Sequence, residues 1–142
     1  MTISPETEMV AIRLLRSISE KAVLLKQAGL AQEIDFFTSY NVPIRSYIAA
    51  FDGDKVVGLV SFMYGSSRGP EHLGIGFVSV SKGWRNKGVA KALVEKLFKV
   101  AENEGKSIFP SYYEDMGKKY LHHVMERTAI AFPAVALIDR GE

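Results

Sequence analysis

The sequence predicts a mixed α/β domain, and three features of its pattern indicate this fold class. The second half runs strand, helix, strand, helix, strand, an order typical of parallel crossover units, because parallel strands need a long connection that is usually a helix. A hairpin precedes that run, so the sheet is expected to be mixed rather than wholly parallel. No internal repeat or interdomain linker interrupts the chain, and we expect one domain over residues 1–142.

Composition narrows the functional class. Hydrophobic residues make up 47% and charged residues 24% of the chain, the balance of a soluble globular protein. A net charge of +2 gives no electrostatic reason to expect a nucleic-acid or membrane partner. No apolar run reaches the roughly 20 residues of a membrane span, and the N-terminus lacks a signal-peptide pattern, so we expect a cytoplasmic protein. The absence of cysteine excludes a thiol nucleophile and thiolate metal ligands.

The first 43 residues predict two helices and an ambiguous segment. Ser4 followed by a proline and an acidic first turn predicts a helix through "ISPETEMVAIRLLRS". The segment "SEKAVLLKQAG" predicts a second helix, which starts at a cap near Ser19 and ends at Gly29. The aromatic stretch from Leu30 to Pro43 resembles a loop more than either regular element.

A hairpin and a third strand follow. The segment "RSYIAAFDGDKVVGLVSFMYG" predicts two strands that meet at Gly53, which tolerates the positive φ of a tight turn. The segment "SSRGP" reads as a mobile connection. The next strand, "EHLGIGFVSVS", is unusual because Gly74 and Gly76 lie inside it, where glycine normally weakens a strand.

The remaining elements are a long helix, a short strand, another helix and a last strand. The segment "KGVAKALVEKLFKVAENEG" has one apolar face at helical spacing and ends at Gly105. The segments "SIFPSYY", "EDMGKKYLHHVMERTAI" and "FPAVALID" then predict strand, helix and strand.

The turn "VSKGWRNKGVAK" connects the third strand to the long helix and carries Lys82, Arg85 and Lys87 around Gly88. The first N–H groups of a helix lack intrahelical partners and the helix dipole adds partial positive charge there, which favours phosphate binding. Gly88 removes a side chain that would block close approach. From these residues alone, an ordinary turn with solvated basic residues is an equal alternative.

Two familiar phosphate loops do not fit this turn. Gly83 and Gly88 have the spacing of an NTPase phosphate loop, but Val89 and Ala90 occupy the places of its lysine and hydroxyl. The segment "GIGFVS" lies inside a strand, not at the strand-to-helix turn of a dinucleotide fingerprint.

The pattern V-x-x-x-x-R-x-x-G-x-A, from Val80 through Arg85 and Gly88 to Ala90, resembles the acyl-CoA pyrophosphate loop of the GNAT acetyltransferase superfamily. The order of elements resembles that family over most of the chain. The resemblance implies a single, mostly antiparallel sheet with a parallel splayed central pair, flanked by about four helices. It also implies acetyl-CoA as co-substrate.

In that family the splayed strands receive the pantetheine arm of the coenzyme. Here Gly74 and Gly76 would provide a bulge or close backbone approach, and Lys82, Lys87 or Lys91 would reach the 3′-phosphate. The resemblance assigns cofactor binding to two runs of residues: Phe77, Val78, Ser79 and Val80 along the pantetheine, and Arg85, Asn86, Lys87, Gly88, Val89, Ala90 and Lys91 around the phosphates.

The resemblance also implies the catalytic groups for direct attack of an amine on the thioester. Tyr120 matches the family's general acid and follows Tyr113, which stands in the place of an asparagine, by seven residues. Tyr113 and Tyr112 are alternatives for the acid. Glu71 or His72 is the candidate base, and a site that binds the neutral amine needs no dedicated base.

The function implied is transfer of an acetyl group from acetyl-CoA to a primary amine of a small molecule, peptide or protein. A non-catalytic acyl-CoA sensor or protein-interaction domain on the same fold is the alternative. No metal is expected, because the adjacent His122 and His123 point about 100° apart on a helix and do not share an ion. We expect no nucleic acid and no membrane partner, whereas a homodimer is compatible with the sequence.

Overall fold

The computed structural model describes residues 10–17, 19–21, 45–65, 71–109 and 115–137. Within them, five strands form one sheet in the order β1 (Ala11–Leu15), β2 (Ser46–Asp52), β3 (Lys55–Gly65), β4 (His72–Val80) and β5 (Ser107–Phe109). The first three pairings are antiparallel and the β4–β5 pairing is parallel. The predicted mixed, mostly antiparallel sheet with one parallel pair is confirmed.

Two predicted helices are present, α1 (Val89–Glu104) and α2 (Asp115–Ala131). Glycines flank α1 at both ends: Gly88 has φ 88° and Gly105 has φ 65°, a conformation that costs glycine little. The apolar face of α1 is buried as its spacing predicted, through Val89, Leu93, Val94, Leu97, Phe98, Val100 and Ala101.

The predicted N-terminal helix is wrong where the structure describes it, because residues 11–15 form strand β1. Ile12 and Leu14 pack against the core whereas Arg13 is exposed, which is the two-residue alternation of a strand. The apolar residues of this segment fit both a helix and a strand. The segment forms a strand because its backbone pairs with β2, for example Ile12 with Ala50. Residues 4–9 of the predicted helix lie outside the described residues.

The cap of the next helix is Ser17, two residues before the cap expected near Ser19, and residues 19–21 are helical. The Glu20 N–H donates to Ser17 Oγ (3.1 Å) and the Ser17 N–H donates to Glu20 Oε1 (2.8 Å), a reciprocal capping box. The hydrogen bond from the Ser17 backbone is the main reason that the pKa of Glu20 is lowered. Only residues 19–21 of this helix are described. The described residues therefore contain three helices, this segment and α1 and α2, where the resemblance implied about four.

The hairpin is confirmed at the other end of β2, where Asp52 pairs with Lys55 and Gly53 has φ 62°. The last predicted strand begins later than expected: residues 132–135 form a turn, whereas Leu137 makes a parallel bridge to Ile108 of β5, and residues 138–139 of the predicted strand lie outside the described residues. Pro133 has no N–H to donate to a ladder, which favours the turn. The segments 30–43, 66–70 and 110–113 lie outside the described residues.

Helix α1 packs directly on the sheet at Gly58 of β3. A Cβ atom at this position would lie 2.8 Å from Val89 Cγ1 and 3.1 Å from Leu93 Cδ1, both buried in the core. The missing side chain therefore sets how closely the first turns of α1 approach the strands. This contact holds the N-terminus of α1 next to the end of β4.

We expect Gly58→Ala to lower the free energy of unfolding by about 1–3 kcal/mol, because Val89 is β-branched and has little freedom to move away. Urea unfolding monitored by circular dichroism measures this. Gly83→Ala is the matched control, since no heavy atom lies within 4 Å of a Cβ at that position. Equal stability of the two variants would show that the helix does not depend on this close approach.

Candidate functional site

The parallel pairing of β4 with β5 is short within the described residues. Three residue pairs join the strands, from His72 with Ser107 to Gly74 with Phe109. Strand β4 then continues to Val80, and its edge from Gly76 onward has no partner from β5 among the described residues. We call the space beside this edge the wedge. An unpaired strand edge presents N–H and C=O groups to any extended chain that enters.

A β-bulge lies where the wedge opens. Ile75 pairs with Phe62 and Phe77 pairs with Ser61, so Gly76 is an extra residue in β4. The bulge changes which side chains face the core: Leu73 and Ile75 before it, and Val78 and Val80 after it, pack against the same core cluster. Bulges of this kind free backbone groups from the ladder and bend the strand. Gly74, by contrast, pairs regularly with Met63.

Two hydrogen bonds to carbonyl groups of β3 and β4 hold the turn that follows β4. The buried Ser81 donates its N–H to the Val57 carbonyl (2.8 Å), and Arg85 Nε donates to the Val80 carbonyl (3.1 Å). Asn86 (φ 63°) and Gly88 (φ 88°) both adopt the left-handed conformation. Left-handed residues in such a turn make successive N–H groups converge into an anion-binding concavity.

The N-terminus of α1 opens onto this turn with its positive end uncompensated by side chains. Gly88 provides no side-chain cap, and the first turn of the helix contains no acidic residue. The Lys87 ammonium lies over the Trp84 ring, 5.4 Å from its centroid, and Lys82 is exposed. The arrangement therefore offers both hydrogen-bond donors and positive charge to an anion.

A groove of about 320 Å³ runs between α1 and α2. Lys91 of α1 contributes to it and lies 3.8 Å from Glu95, one turn further along. The lining residues are Lys91, Glu95, His123, Val124, Arg127, Thr128 and Ala131. Lys91 and Arg127 carry positive charge in this lining and Glu95 carries the opposing negative charge.

The structure brings together the predicted cofactor residues but not the predicted base. Residues 77–80 line the wedge, and residues 85–91 form the loop and the first turn of α1. Glu71 lies before the paired end of β4, where its Oε2 is 2.9 Å from Lys106 Nζ. Glu71 and Gly76 are five residue steps apart along extended chain, a distance of roughly 16 Å. His72 stacks against Phe109 at the same closed end.

Tyr120 lies in the first half of α2, which follows β5, and its helical position is as the sequence predicted. Tyr112 and Tyr113 lie outside the described residues. Sequence reasoning missed Ser61, which pairs with Phe77 beside the bulge and is fully buried. The available signal was a serine in the middle of the otherwise apolar run "VVGLVSFM".

The described residues contain no group of three or more His, Asp or Glu side chains arranged to hold a metal ion. None of the described helices is long and apolar enough to cross a membrane.

Comparison with known proteins identifies a family that matches most of the chain. A family model described as "Acetyltransferase (GNAT) family" matches residues 14–125. No curated protein matches the chain significantly.

Among solved structures, the chain is similar to an aminoglycoside acetyltransferase from an uncultured soil metagenomic sample (13% identity, TM-score 0.61, covering 84% of this chain and 87% of that chain). It is also similar to a ribosomal-protein-alanine N-acetyltransferase from Brucella melitensis biovar Abortus 2308 (23%, 0.58, 80% and 89%). A third is a transcriptional regulator from Bacillus halodurans C-125 (15%, 0.60, 83% and 91%). At these identities the likeness shows the shared fold.

Proposed function

Because the chain belongs to the GNAT acetyltransferase family, we propose that it is an acyl-CoA-dependent N-acyltransferase that moves an acetyl group from acetyl-CoA to a primary amine. The observation that supports this most strongly is that three features lie next to one another from the middle of β4 to the start of α1. The bulge at Gly76, the open edge of β4 and the uncapped start of α1 follow one another in the chain and in space. An extended arm that ends in phosphates matches this order of groups.

The pantetheine arm enters the wedge as an added strand and pairs with the backbone of Phe77, Val78, Ser79 and Val80. The pyrophosphate receives hydrogen bonds from the N–H groups of residues 85–90. Lys91, beside the groove between the helices, is the basic residue placed to meet the 3′-phosphate, with Lys82 and Lys87 at the mouth of the loop.

Acetyl transfer then proceeds by direct attack in a ternary complex. The amine nitrogen forms a bond to the thioester carbonyl carbon, the carbonyl electrons move to oxygen, and the collapse of this tetrahedral oxyanion expels the thiolate. Backbone N–H groups released from the ladder at the bulge are the candidate donors to the oxyanion. Tyr120, or Tyr113 or Tyr112 in its place, donates a proton to the departing thiolate.

No dedicated base is included in the proposal. Glu71 is bound to Lys106 at the closed end of the β4–β5 pair, away from the bulge. A site that binds the neutral fraction of the amine needs only water to receive its proton.

The test is release of coenzyme A thiol from acetyl-CoA in the presence of a panel of primary amines and of cell-extract protein. We expect release that depends on at least one amine, with the acetylated product identified by mass spectrometry. The control is the same reaction without amine. Acetyl-CoA binding without turnover by any acceptor would contradict the enzymatic proposal and support a sensor on the same fold.

A further inference from the structure

A buried polar cluster lies on the face of the sheet opposite α1. Gly58 faces α1, and side chains alternate along a strand, so Ser61, three residues later, faces away from it. The helix segment 19–21 contacts this cluster, because Lys21 Nζ donates to the Arg45 carbonyl (2.8 Å). Arg45 Nη1 in turn donates to Ser61 Oγ (3.1 Å). Tyr47, the register partner of Ser61 in β2, completes the cluster.

Two polar atoms of this cluster have no hydrogen-bond partner within the described part of the chain. They are the Tyr47 hydroxyl, on a side chain with 0% exposure, and Arg45 Nε. Leaving a buried donor unsatisfied is costly, and native proteins rarely tolerate it without a reason. Both groups can act as donors, so an incoming ligand must supply acceptor oxygens.

The charges of the cluster point to the same kind of ligand. Lys21 is only 2% exposed, and burial lowers the pKa of its ammonium, whereas burial raises the pKa of the Tyr47 phenol. The Arg45 guanidinium is half-buried and forms no ion pair with the residues that the structure describes. A half-buried guanidinium binds a carboxylate through charge-assisted hydrogen bonds, so an anionic ligand suits this cluster.

The cluster is next to the bulge. Ser61 pairs with Phe77, the residue after Gly76, and adjacent strands lie about 4.8 Å apart. On the α1 face of β4 the space is filled, because Leu73 and Ile75 are fully buried in the core. A molecule that approaches the bulge from the opposite face therefore comes within reach of the Arg45 guanidinium.

We infer that Arg45 and Tyr47 select an acyl acceptor that carries a carboxylate in addition to its amine. This inference rests on the proposed function. The carboxylate accepts hydrogen bonds from Arg45 Nε and the Tyr47 hydroxyl and neutralises the guanidinium. The amine is thereby directed toward the thioester at the bulge. Arginine suits this task because its planar group presents parallel donors to the two oxygens of a carboxylate.

The experiment compares matched acceptors that differ only in the carboxylate: free L-amino acids and short peptides against their amides and decarboxylated amines. We expect the wild type to show a KM lower by about tenfold or more for the carboxylates. Arg45→Gln removes that preference, and Arg45→Lys restores part of it. Arg13→Gln is the matched control, since Arg13 is exposed over Phe51 on β1 and loses the same charge.

Tyr47→Phe separates recognition from folding. It removes an unsatisfied buried hydroxyl, so we expect an unchanged or higher melting temperature together with a KM for carboxylate acceptors raised several-fold. A lower melting temperature with unchanged KM would assign the hydroxyl a structural role and overturn this part of the inference.

A second readout does not depend on turnover. Calorimetry measures binding of N-acetylated amino acids and their amides to the protein saturated with coenzyme A. Preferential binding of the carboxylates, lost in Arg45→Gln, supports the inference even when no amine of the panel is acetylated, in which case only the proposed function fails. Equal binding of acids and amides, or no binding of either, overturns it.

Discussion

Replacing Gly88 with valine is expected to weaken acetyl-CoA binding by more than about tenfold while the domain stays folded. Gly88 precedes α1 with φ 88°, in a region that valine avoids, so the loop must change its path to accept the new residue. The added side chain also occupies the space at the mouth of the first turn. Both effects remove N–H donors from the phosphates. Isothermal calorimetry with acetyl-CoA measures the loss.

Gly53→Val provides the control for backbone strain. Gly53 also has a positive φ (62°), in the hairpin turn, and a Cβ there meets no atom within 4 Å. Both variants therefore carry strain of about 1–3 kcal/mol, but only Gly88 lies in the proposed phosphate site. We expect similar losses of thermal stability and unchanged affinity for the hairpin variant. Unaltered affinity in Gly88→Val would count directly against a phosphate site at this turn.

The elements that the sequence predicted well are those determined by local signals. Helix α1 has a long apolar face and a glycine at each end, and its neighbours in the chain are enough to define it. The loop before it is also local, because Gly88 and the basic residues around it are close in sequence. Strand β1 is different: its five residues fit two periodicities, and its partner β2 begins 31 residues after β1 ends. Only that distant pairing settles its structure.

The site shows the same division between local and non-local information. The glycines at 74 and 76 predicted a bulge or a close approach, but the register with β3 assigns the extra residue to Gly76. The resemblance suggested Glu71 as a base, and the structure places Glu71 just before β4, in an ion pair with Lys106. The grouping of Arg45 and Tyr47 with Ser61 depends on how β2 pairs with β3, which no local pattern encodes.

Replacing Tyr120 with phenylalanine is expected to lower kcat by about 100-fold with little change in affinity for acetyl-CoA. The departing thiolate takes up a proton in the proposed reaction, and phenylalanine has the same ring but no proton to give. Tyr120 lies in the first half of α2, the helix that follows β5. Steady-state kinetics and calorimetry on the same preparation separate the effect on turnover from the effect on binding.

Tyr64→Phe is the matched control, because it also removes one phenol. The Tyr64 hydroxyl donates to Glu104 Oε1 and accepts from Arg16 Nη1, both at 2.9 Å, away from the bulge. Its loss is expected to lower stability and leave kcat unchanged. If Tyr120→Phe turns over at the wild-type rate, the acid is another group, and Tyr113→Phe and Tyr112→Phe become the decisive variants. Since each of these removes a single proton donor, only the true acid combines a slow chemical step with intact coenzyme binding.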